Sequence, residues 1–160
     1  MLDYKTLPLL PSDRNWVTRM ITIKWGGNIV VAHGEVFHPA DLPGFAAFIG
    51  KKPVGLLTYS ISDNDLEIVT INSWRERQGI GTALIDLVKL KAYEASCRRL
   101  FLVTTNNNTH ALHFYQKYGF VISSIRINVI EKSRMLKPQI PLLDKDGLPI
   151  RDEIELEIIL

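Results

Sequence analysis

The stretch LEIVTINSWRERQGIGTALIDLVKLKAYEASCRRLFLVTTNNNTHALHFYQKYGF, residues 66–120, decides the fold of this chain. It opens with a β-branched run over residues 66–71, which is typical of a strand. From Ile80 to about Cys97 the apolar residues recur at helical spacing, and a second apolar run follows over residues 100–104. A strand, a helix and a second strand of this length predict a right-handed parallel pairing of the two strands.

The turn before the helix contains Gly79 and Gly81 and opens directly onto the helix. Glycine lets a backbone approach a ligand closely, and the first turn of a helix has N–H groups without internal partners. Both properties suit the binding of a phosphate group. The plain alternative is a tight strand-to-helix turn. The turn is not a Walker loop, because no Gly-Lys-Ser/Thr follows, and it lacks the third glycine of a dinucleotide fingerprint.

A second motif follows the second strand and has the form Asn-x-x-Ala-x-x-x-Tyr-x-x-x-Gly-Phe. Its defined positions are Asn108, Ala111, Tyr115, Gly119 and Phe120. Together with the glycine turn, this motif resembles the two central motifs of the GNAT superfamily of N-acetyltransferases, which use acetyl-coenzyme A. The resemblance covers about a third of the chain closely, and the two motifs occur in the family's order and separation.

The family's phosphate loop, Gln/Arg-x-x-Gly-x-Gly/Ala, falls on residues 76–81 with one departure. Glu76 stands where the family usually has Gln or Arg, and a carboxylate beside a pyrophosphate is unfavourable. Arg75 and Arg77 flank it with positive charge, and the family's grip is mostly through main-chain N–H groups, which any residue supplies. We therefore expect Glu76 to bear on the affinity for the cofactor more than on the identity of the family.

Three apolar runs over residues 44–50, 54–61 and 66–71 are separated by short turns, which predicts an antiparallel meander. Joined to the parallel pair, the meander gives an α/β (α+β) fold: a mixed antiparallel and parallel sheet with flanking helices. The resemblance implies the GNAT (acyl-CoA N-acyltransferase) fold. In that fold two central strands separate at their carboxyl ends, and the pantetheine arm of the cofactor adds between them much as an extra strand would.

The other segments are read from their local patterns. The predicted elements are an extended lead-in over residues 1–11, a helix ending before Gly26, a strand over residues 29–32, a loop or frayed strand over residues 33–39, a strand beginning near Val121, a short helix over residues 131–134 and a terminal strand over residues 154–160.

The resemblance implies that acetyl-coenzyme A is the cosubstrate and indicates its binding residues. Backbone N–H groups of the glycine turn would hold the pyrophosphate, and the backbone around Ile71 would pair with the pantetheine amides. Asn108 suits a helix cap by residue type, and the family adds a hydrogen bond to the cofactor or to the tyrosine's helix. The predicted cofactor-binding residues are Ile71, Arg77, Gln78, Gly79, Ile80, Gly81, Thr82 and Asn108.

Two residues are the predicted catalytic pair. Tyr115 falls on the family's tyrosine position, where a phenol can protonate the departing thiolate, although an aromatic core stripe is the plain alternative. Glu67 lies on the strand that the family uses for its base or for a carboxylate acting through water. Asp65 is the alternative base, because it shares the Glu67 side of the strand.

The length and composition of the chain bear on its domain number, its partners and its location. The chain has 160 residues, which suits one domain over residues 1–160, and its formal net charge of +2 gives no reason to expect a nucleic acid partner. Cys97 is its single cysteine, and it has no signal-like segment or apolar run of membrane-spanning length, so we expect a cytoplasmic protein without membrane contact. The four histidines lack metal-ligand spacing as a group, so no metal is predicted.

The sequence therefore predicts an enzyme that transfers an acetyl group from acetyl-coenzyme A to a primary amine. The acceptor is a small molecule or a peptide. The residues that could line its pocket are less diagnostic than those of the cofactor site, and they include His33, His38, Trp25, Phe37, Phe45 and Trp74. The terminal strand is the candidate contact for a homodimer. The alternatives are a non-catalytic acyl-coenzyme A-binding module on the same fold and a nucleotide-binding domain that uses the glycine loop alone.

Overall fold

The computed structural model describes residues 3–75 and 77–160, and its elements follow the predicted order around the central strand–helix–strand unit. The strands are β1 (Lys5–Pro8), β2 (Val30–Ala32), β3 (Glu35–Phe37), β4 (Gly44–Ile49), β5 (Lys52–Ser62), β6 (Asp65–Ser73), β7 (Arg99–Thr105), β8 (Val121–Arg126) and β9 (Glu153–Ile159). The helices are α1 (Arg14–Trp25), α2 (Ile80–Glu94), α3 (Thr109–Tyr118) and α4 (Ile130–Leu136), with short 3-10 turns at Pro11–Asp13 and Pro39–Asp41.

Seven strands form one sheet in the order β1-β4-β5-β6-β7-β9-β8, and β2 pairs with β3 in a separate hairpin. Strands β4, β5 and β6 are antiparallel neighbours, as the short turns between them predict. β6 and β7 pair in parallel, with α2 as the crossover. The predicted mixed sheet with flanking helices is confirmed.

The two faces of the sheet are covered by different helices. Helix α2 buries Ile80, Leu84 and Val88 against the sheet, in a cluster that also takes in Leu66, Leu102 and side chains of α3. On the other face, Val17 and Ile21 of α1 pack against Leu56. Successive residues of a strand point to opposite faces. Leu56 therefore packs in the cluster beneath α1, and its neighbour Leu57 packs in the cluster beneath α2.

Three regions refine the expectations from sequence. Residues 33–39, expected to be a loop or frayed strand, contain β3, because His33 (φ 41°) and Gly34 (φ 80°) form the tight two-residue turn of the β2–β3 hairpin. The lead-in contributes β1 at the edge of the sheet. The terminal strand β9 lies between β7 and β8 and pairs with both of them.

No helix within the described part of the chain is long and apolar enough to cross a membrane.

Candidate active site

The central feature of the site is a wedge between β6 and β7. Their parallel pairing runs from Asp65↔Arg99 to Ile68↔Leu102 and stops there, although β6 continues to Ser73 and β7 to Thr105. β6 stays paired with β5, and β7 stays paired with β9 over its full length. The two strands therefore separate at their carboxyl ends, as the family resemblance implies.

A β-bulge explains where the separation begins. In the β5–β6 ladder, Thr58 pairs with Thr70 while the next residue, Tyr59, pairs with Ile68, so Val69 is an extra residue on β6. A bulge bends its strand and increases the local twist. The bend falls directly after Ile68, the last residue of β6 that pairs with β7. Beyond it, the β6 backbone around Ile71 faces no partner strand on that side within the described residues.

The glycine turn lies at the start of α2, close to the end of β6. Gly79 is the residue before the first helical turn and has a left-handed backbone (φ 73°), a conformation that favours glycine. No side chain caps this helix, so its first N–H groups lack a protein partner in the described structure. Arg77 also has a positive φ (60°), and the side-chain Oε1 of Gln78 is buried without a hydrogen-bond partner.

The other predicted residues of this turn have distinct environments. Ile80 is buried in the core, so only its backbone can face a ligand, whereas Thr82 is exposed. A Cβ atom on Gly81 would lie 3.2 Å from Cζ of Phe114, so the missing side chain lets α2 and α3 approach. Glu76, the departure from the family pattern, lies outside the described residues.

Asn108 acts as the helix cap that its residue type predicts. Its Oδ1 accepts a hydrogen bond from the backbone N–H of Ala111 at 3.4 Å, and its Nδ2 donates to Oγ1 of Thr104 at 3.2 Å. These bonds join the end of β7 to the start of α3. Asn108 remains exposed where the wedge opens, so its cofactor contact stays a prediction.

Glu67 lies next to the point at which the wedge begins and is paired with a histidine. Its carboxylate oxygens are 2.8 and 2.9 Å from Nε2 of His33, and Glu67 as a whole is 6% exposed. Burial raises the pKa of the Glu67 carboxyl above its ordinary value, and the hydrogen bond from His33 opposes that rise. The same hydrogen bond raises the pKa of the His33 imidazole, against the opposing effect of burial.

The tight hairpin turn fixes His33 in this position. The backbone N–H of His33 donates to Oε2 of Glu153 at 3.0 Å, and its ring meets the ring of Phe37 edge-on. The sequence indicates His33 only as a candidate for the acceptor side, since its pairing with Glu67 joins residues 34 positions apart. The local signal is the His-Gly pair between the apolar residues 29–32 and 36–37, a pattern that a two-residue hairpin turn can produce.

The alternative base, Asp65, has a different environment. It lies at the start of β6, two residues further from the wedge, and accepts hydrogen bonds from Nε of Arg98 at 2.8 Å and Nε of Arg99 at 3.0 Å. These guanidinium groups, that of Arg98 first, hold the pKa of the Asp65 carboxyl below its ordinary value. Asp65 is therefore a partner in ion pairs rather than a free proton acceptor.

Tyr115 is buried on the opposite side of the sheet from Glu67. It belongs to the cluster beneath α2 and α3, and its ring contacts the rings of Phe114 and Phe120 edge-on at centroid distances of 5.5 and 5.7 Å. No hydrogen bond of its hydroxyl is found within the described residues. Burial raises the pKa of the Tyr115 phenol well above its ordinary value, so the hydroxyl keeps its proton at neutral pH.

An ion-pair network lies on the same face of the sheet as Glu67, and no local sequence pattern marks it. Arg99 donates to Asp65, Glu155 and Glu157 while its guanidinium lies 4.1 Å from the centroid of the Phe101 ring. Arg126 donates to Glu153 and Glu155. Among the described residues, no group of three or more His, Cys, Asp or Glu side chains could hold a metal ion.

Comparison with known proteins agrees with this geometry. Residues 13–120 match the model of the Acetyltransferase (GNAT) family. The chain is 39% identical to the uncharacterized protein YdhI of Bacillus subtilis (strain 168) over 142 residues, covering 88% of this chain and 89% of YdhI. It is 34% identical to the uncharacterized protein YxbD of the same strain over 151 residues, or 94% of this chain and 95% of YxbD.

The fold also matches solved structures. One is a GNAT family acetyltransferase from Elizabethkingia anophelis with acetyl-CoA bound, which superimposes with a TM-score of 0.69 at 23% sequence identity. The superposition covers 98% of each chain. The resemblance drawn from the two sequence motifs is thus confirmed for the family and for the fold.

Proposed function

Because the chain belongs to the acetyltransferase (GNAT) family, we propose that it transfers the acetyl group of acetyl-coenzyme A to a primary amine of an acceptor. The observation that carries this proposal is the wedge, since the β6–β7 pairing stops at Ile68↔Leu102 while both strands continue. An unpaired strand edge can take an extended, amide-bearing ligand as an additional strand.

The residues around the wedge fit acetyl-coenzyme A. The free edge of β6 near Ile71 would hold the pantetheine amides. The uncapped N–H groups at the start of α2, in the turn of residues 77–82, would hold the pyrophosphate, with Asn108 at the opening of the wedge. When bound, acetyl-coenzyme A supplies an acetyl group activated as a thioester.

Glu67 would act as the proton acceptor for the attacking amine, directly or through a water molecule. An amine attacks only as the neutral base, so it must lose a proton to a group of suitable pKa near it. The raised pKa of the buried Glu67 carboxyl strengthens it as a base, and its bond to His33 keeps the charged form accessible. His33 would be a positioning residue, which holds the carboxylate in place.

Tyr115 would supply the proton to the departing thiolate. Its phenol keeps its proton at neutral pH, and it lies on the face of the sheet opposite Glu67. With the wedge between them, the acid and the base would serve the two sides of the reacting thioester. The acetyl transfer then needs no covalent intermediate with the protein.

The Tyr115→Phe variant tests this proposal. We expect coenzyme A to bind it nearly as well as the wild type by calorimetry, while thiol release with a panel of amines slows by roughly 100-fold, because general acid catalysis typically contributes that much or more. Tyr118→Phe is the matched control, since it removes another phenol of α3, whose hydroxyl bonds to Asp86. Its turnover should stay near that of the wild type.

Two outcomes would contradict the proposal. If Tyr115→Phe turned over as fast as the wild type, the assignment of the acid would be wrong. If the wild type bound acetyl-coenzyme A but released thiol with no amine of the panel, a non-catalytic acyl-coenzyme A-binding module would replace the transferase.

A further inference from the structure

A small cavity lies beside the His33–Glu67 pair and is separate from the wedge. Its volume is about 210 Å³, and it lies between the β2–β3 turn, the end of β8 and α4. Its lining includes His33, Arg126, Val129, Lys132, Leu136 and Glu153. The cavity is smaller than the roughly 300–1,000 Å³ of pockets for drug-sized ligands, so it suits a small molecule or one end of a larger one.

The cavity adjoins the proposed base. His33 lines it and also bonds to Glu67 through Nε2, so a ligand seated there lies one side chain away from the Glu67 carboxylate. In a transferase, the acceptor must approach the base from a position outside the cofactor cleft. This cavity is therefore a candidate binding site for the part of the acceptor that does not react.

The wall of the cavity has an unused hydrogen-bond donor, whereas its carboxylate acceptors are already occupied. Glu153 uses both carboxylate oxygens within the chain: Oε1 accepts from Nε of Arg126 at 3.2 Å, and Oε2 accepts from the backbone N–H of His33. It has little left to offer a cationic ligand. Arg126 donates from Nε and Nη1, but its Nη2 atom is buried and has no hydrogen-bond partner.

An unsatisfied, solvent-shielded guanidinium nitrogen is unusual, because buried polar groups nearly always have a partner. The Arg126 side chain as a whole is 29% exposed and lines the cavity, so a small rotation of its guanidinium would present the unpaired Nη2 to an acceptor oxygen brought by a ligand. Lys132 adds a second positive charge on the exposed side of the lining and forms no ion pair within residues 3–75 and 77–160. A carboxylate suits this pair, since arginine binds it with charge-assisted hydrogen bonds.

We infer that the acceptor is a small amine that also carries a carboxylate, an amino acid or the C-terminal end of a short peptide. The carboxylate binds Arg126 and Lys132, and the apolar side chains of Val129 and Leu136 contact the carbon skeleton beside it. This inference rests on the proposed function, and it identifies the chemical class of the acceptor.

Matched amines test the inference with the full-length wild-type protein and acetyl-coenzyme A. Each set contains an amino acid, its C-terminal amide and the amine left after removal of the carboxyl group, and dipeptides form a further arm. We expect kcat/KM to be at least tenfold higher for carboxylate-bearing members. Preference for the dipeptide would identify the C-terminal end of a peptide as the source of the carboxylate. Preference for the single amino acid would identify free amino acids as the acceptors.

Variants link that preference to the cavity. Arg126→Gln and Lys132→Ala should each reduce the preference for the carboxylate severalfold, while leaving coenzyme A binding intact. Arg126→Gln can also destabilise the fold by removing the ion pair of the buried Glu153, so thermal unfolding is measured alongside. Lys132→Ala, an exposed change, keeps the test decisive in that case. Arg98→Gln is the control, since Arg98 is exposed and pairs with Asp65 at the far end of β6.

A readout independent of turnover is the binding of the preferred amino acid measured by calorimetry, which should weaken in both cavity variants but not in Arg98→Gln. Turnover of amines without any preference for a carboxylate would overturn this inference and leave the proposed function standing. Failure to acetylate any amine would instead count against the proposed function.

Discussion

The two faces of the central sheet differ in how they are built. On the face beneath α2 and α3, Leu66, Leu100 and Leu102 are completely or almost completely buried among apolar neighbours. On the opposite face, Glu67 bonds to His33 of the β2–β3 turn, and Arg99 forms ion pairs with Asp65, Glu155 and Glu157. The apolar face holds the helix whose start would bind the cofactor. The polar face holds the proposed base and the acceptor cavity.

We expect the two faces to contribute to function in different ways. An apolar face built from close packing keeps the wedge and the helix start rigid, and rigid elements position a site more accurately than loops do. A buried polar network, in contrast, changes the pKa values of the groups inside it. Substitutions on the polar face should therefore change the chemistry. Substitutions on the apolar face, apart from that of the proposed acid Tyr115, should change the stability.

The largest effect is expected from removal of the proposed base. Glu67→Gln keeps the size of the side chain but cannot accept a proton, so kcat/KM should fall about 100- to 10,000-fold, in line with typical general base contributions. Steady-state thiol release at saturating acetyl-coenzyme A measures it. The matched control is Asp65→Asn on the same side of the same strand, which should retain more than a tenth of the activity. The reverse order of the two variants would show that Asp65 is the base.

The same contrast explains what the sequence could predict. The apolar face follows from local spacing: the residues after Ile80 recur with helical periodicity, and the glycine turn lies where a helix begins. The parallel pairing and its position next to the meander follow from the chain order. The cofactor-binding candidates were therefore predicted from the motifs and the family resemblance, and the wedge between β6 and β7 was expected from that resemblance.

The polar face depends on contacts between residues distant in sequence. His33 meets Glu67 across 34 positions and Glu153 across 120, and Arg99 meets Glu155 across 56. No periodicity encodes such pairs, and a histidine in a turn has no local mark of its partner. The position of β9 between β7 and β8, which brings Glu153 and Glu155 to the site, is likewise a property of the whole sheet.

The second prediction tests the apolar face through Gly55. A Cβ atom at Gly55 would lie only 2.6 Å from Cγ2 of Ile80 and 3.2 Å from Cδ1 of Leu84, so Gly55→Ala forces α2 away from the sheet. Overpacking of this kind typically costs about 1–3 kcal/mol of unfolding free energy. Chemical denaturation measures it. In Gly27→Ala the new Cβ meets only the ends of the Gln139 and Lys137 side chains, so it should change stability by about 0.5 kcal/mol or less.

The activity of folded Gly55→Ala sharpens the contrast between the faces. If the apolar face acts through rigidity, the variant should lose affinity for coenzyme A, because the uncapped start of α2 begins at Ile80, the residue that is displaced. The dependence of kcat on pH should not change, since Glu67 and His33 lie on the other face. A changed pH profile would mean that the two faces are coupled more closely than their separate packing implies.

The smallest effect, and the most specific to the polar face, is expected from His33→Gln. His33 lowers the pKa of Glu67 against the opposing effect of burial, so loss of the imidazole should raise the pKa of that carboxyl. A base with a higher pKa needs a higher pH to become ionised, and the acidic limb of the kcat/KM profile should therefore move to higher pH. Activity at neutral pH should fall severalfold and recover at alkaline pH.

Protein stability provides an independent check on the same pair. The pKa of His33 is raised in the folded state, so its contribution to stability is present below its ordinary value of about 6.5 and is lost as pH rises through the higher folded value. The wild type should therefore lose its stability advantage over His33→Gln as the pH rises through that range, measured by thermal unfolding. The control is His38→Gln, which replaces an exposed histidine of the neighbouring loop.

The pH profile of activity decides the role of His33. An acidic limb of the kcat/KM profile that stayed in place in His33→Gln would show that the imidazole does not tune the base, and the polar face would then act on the acceptor through its shape and charge alone.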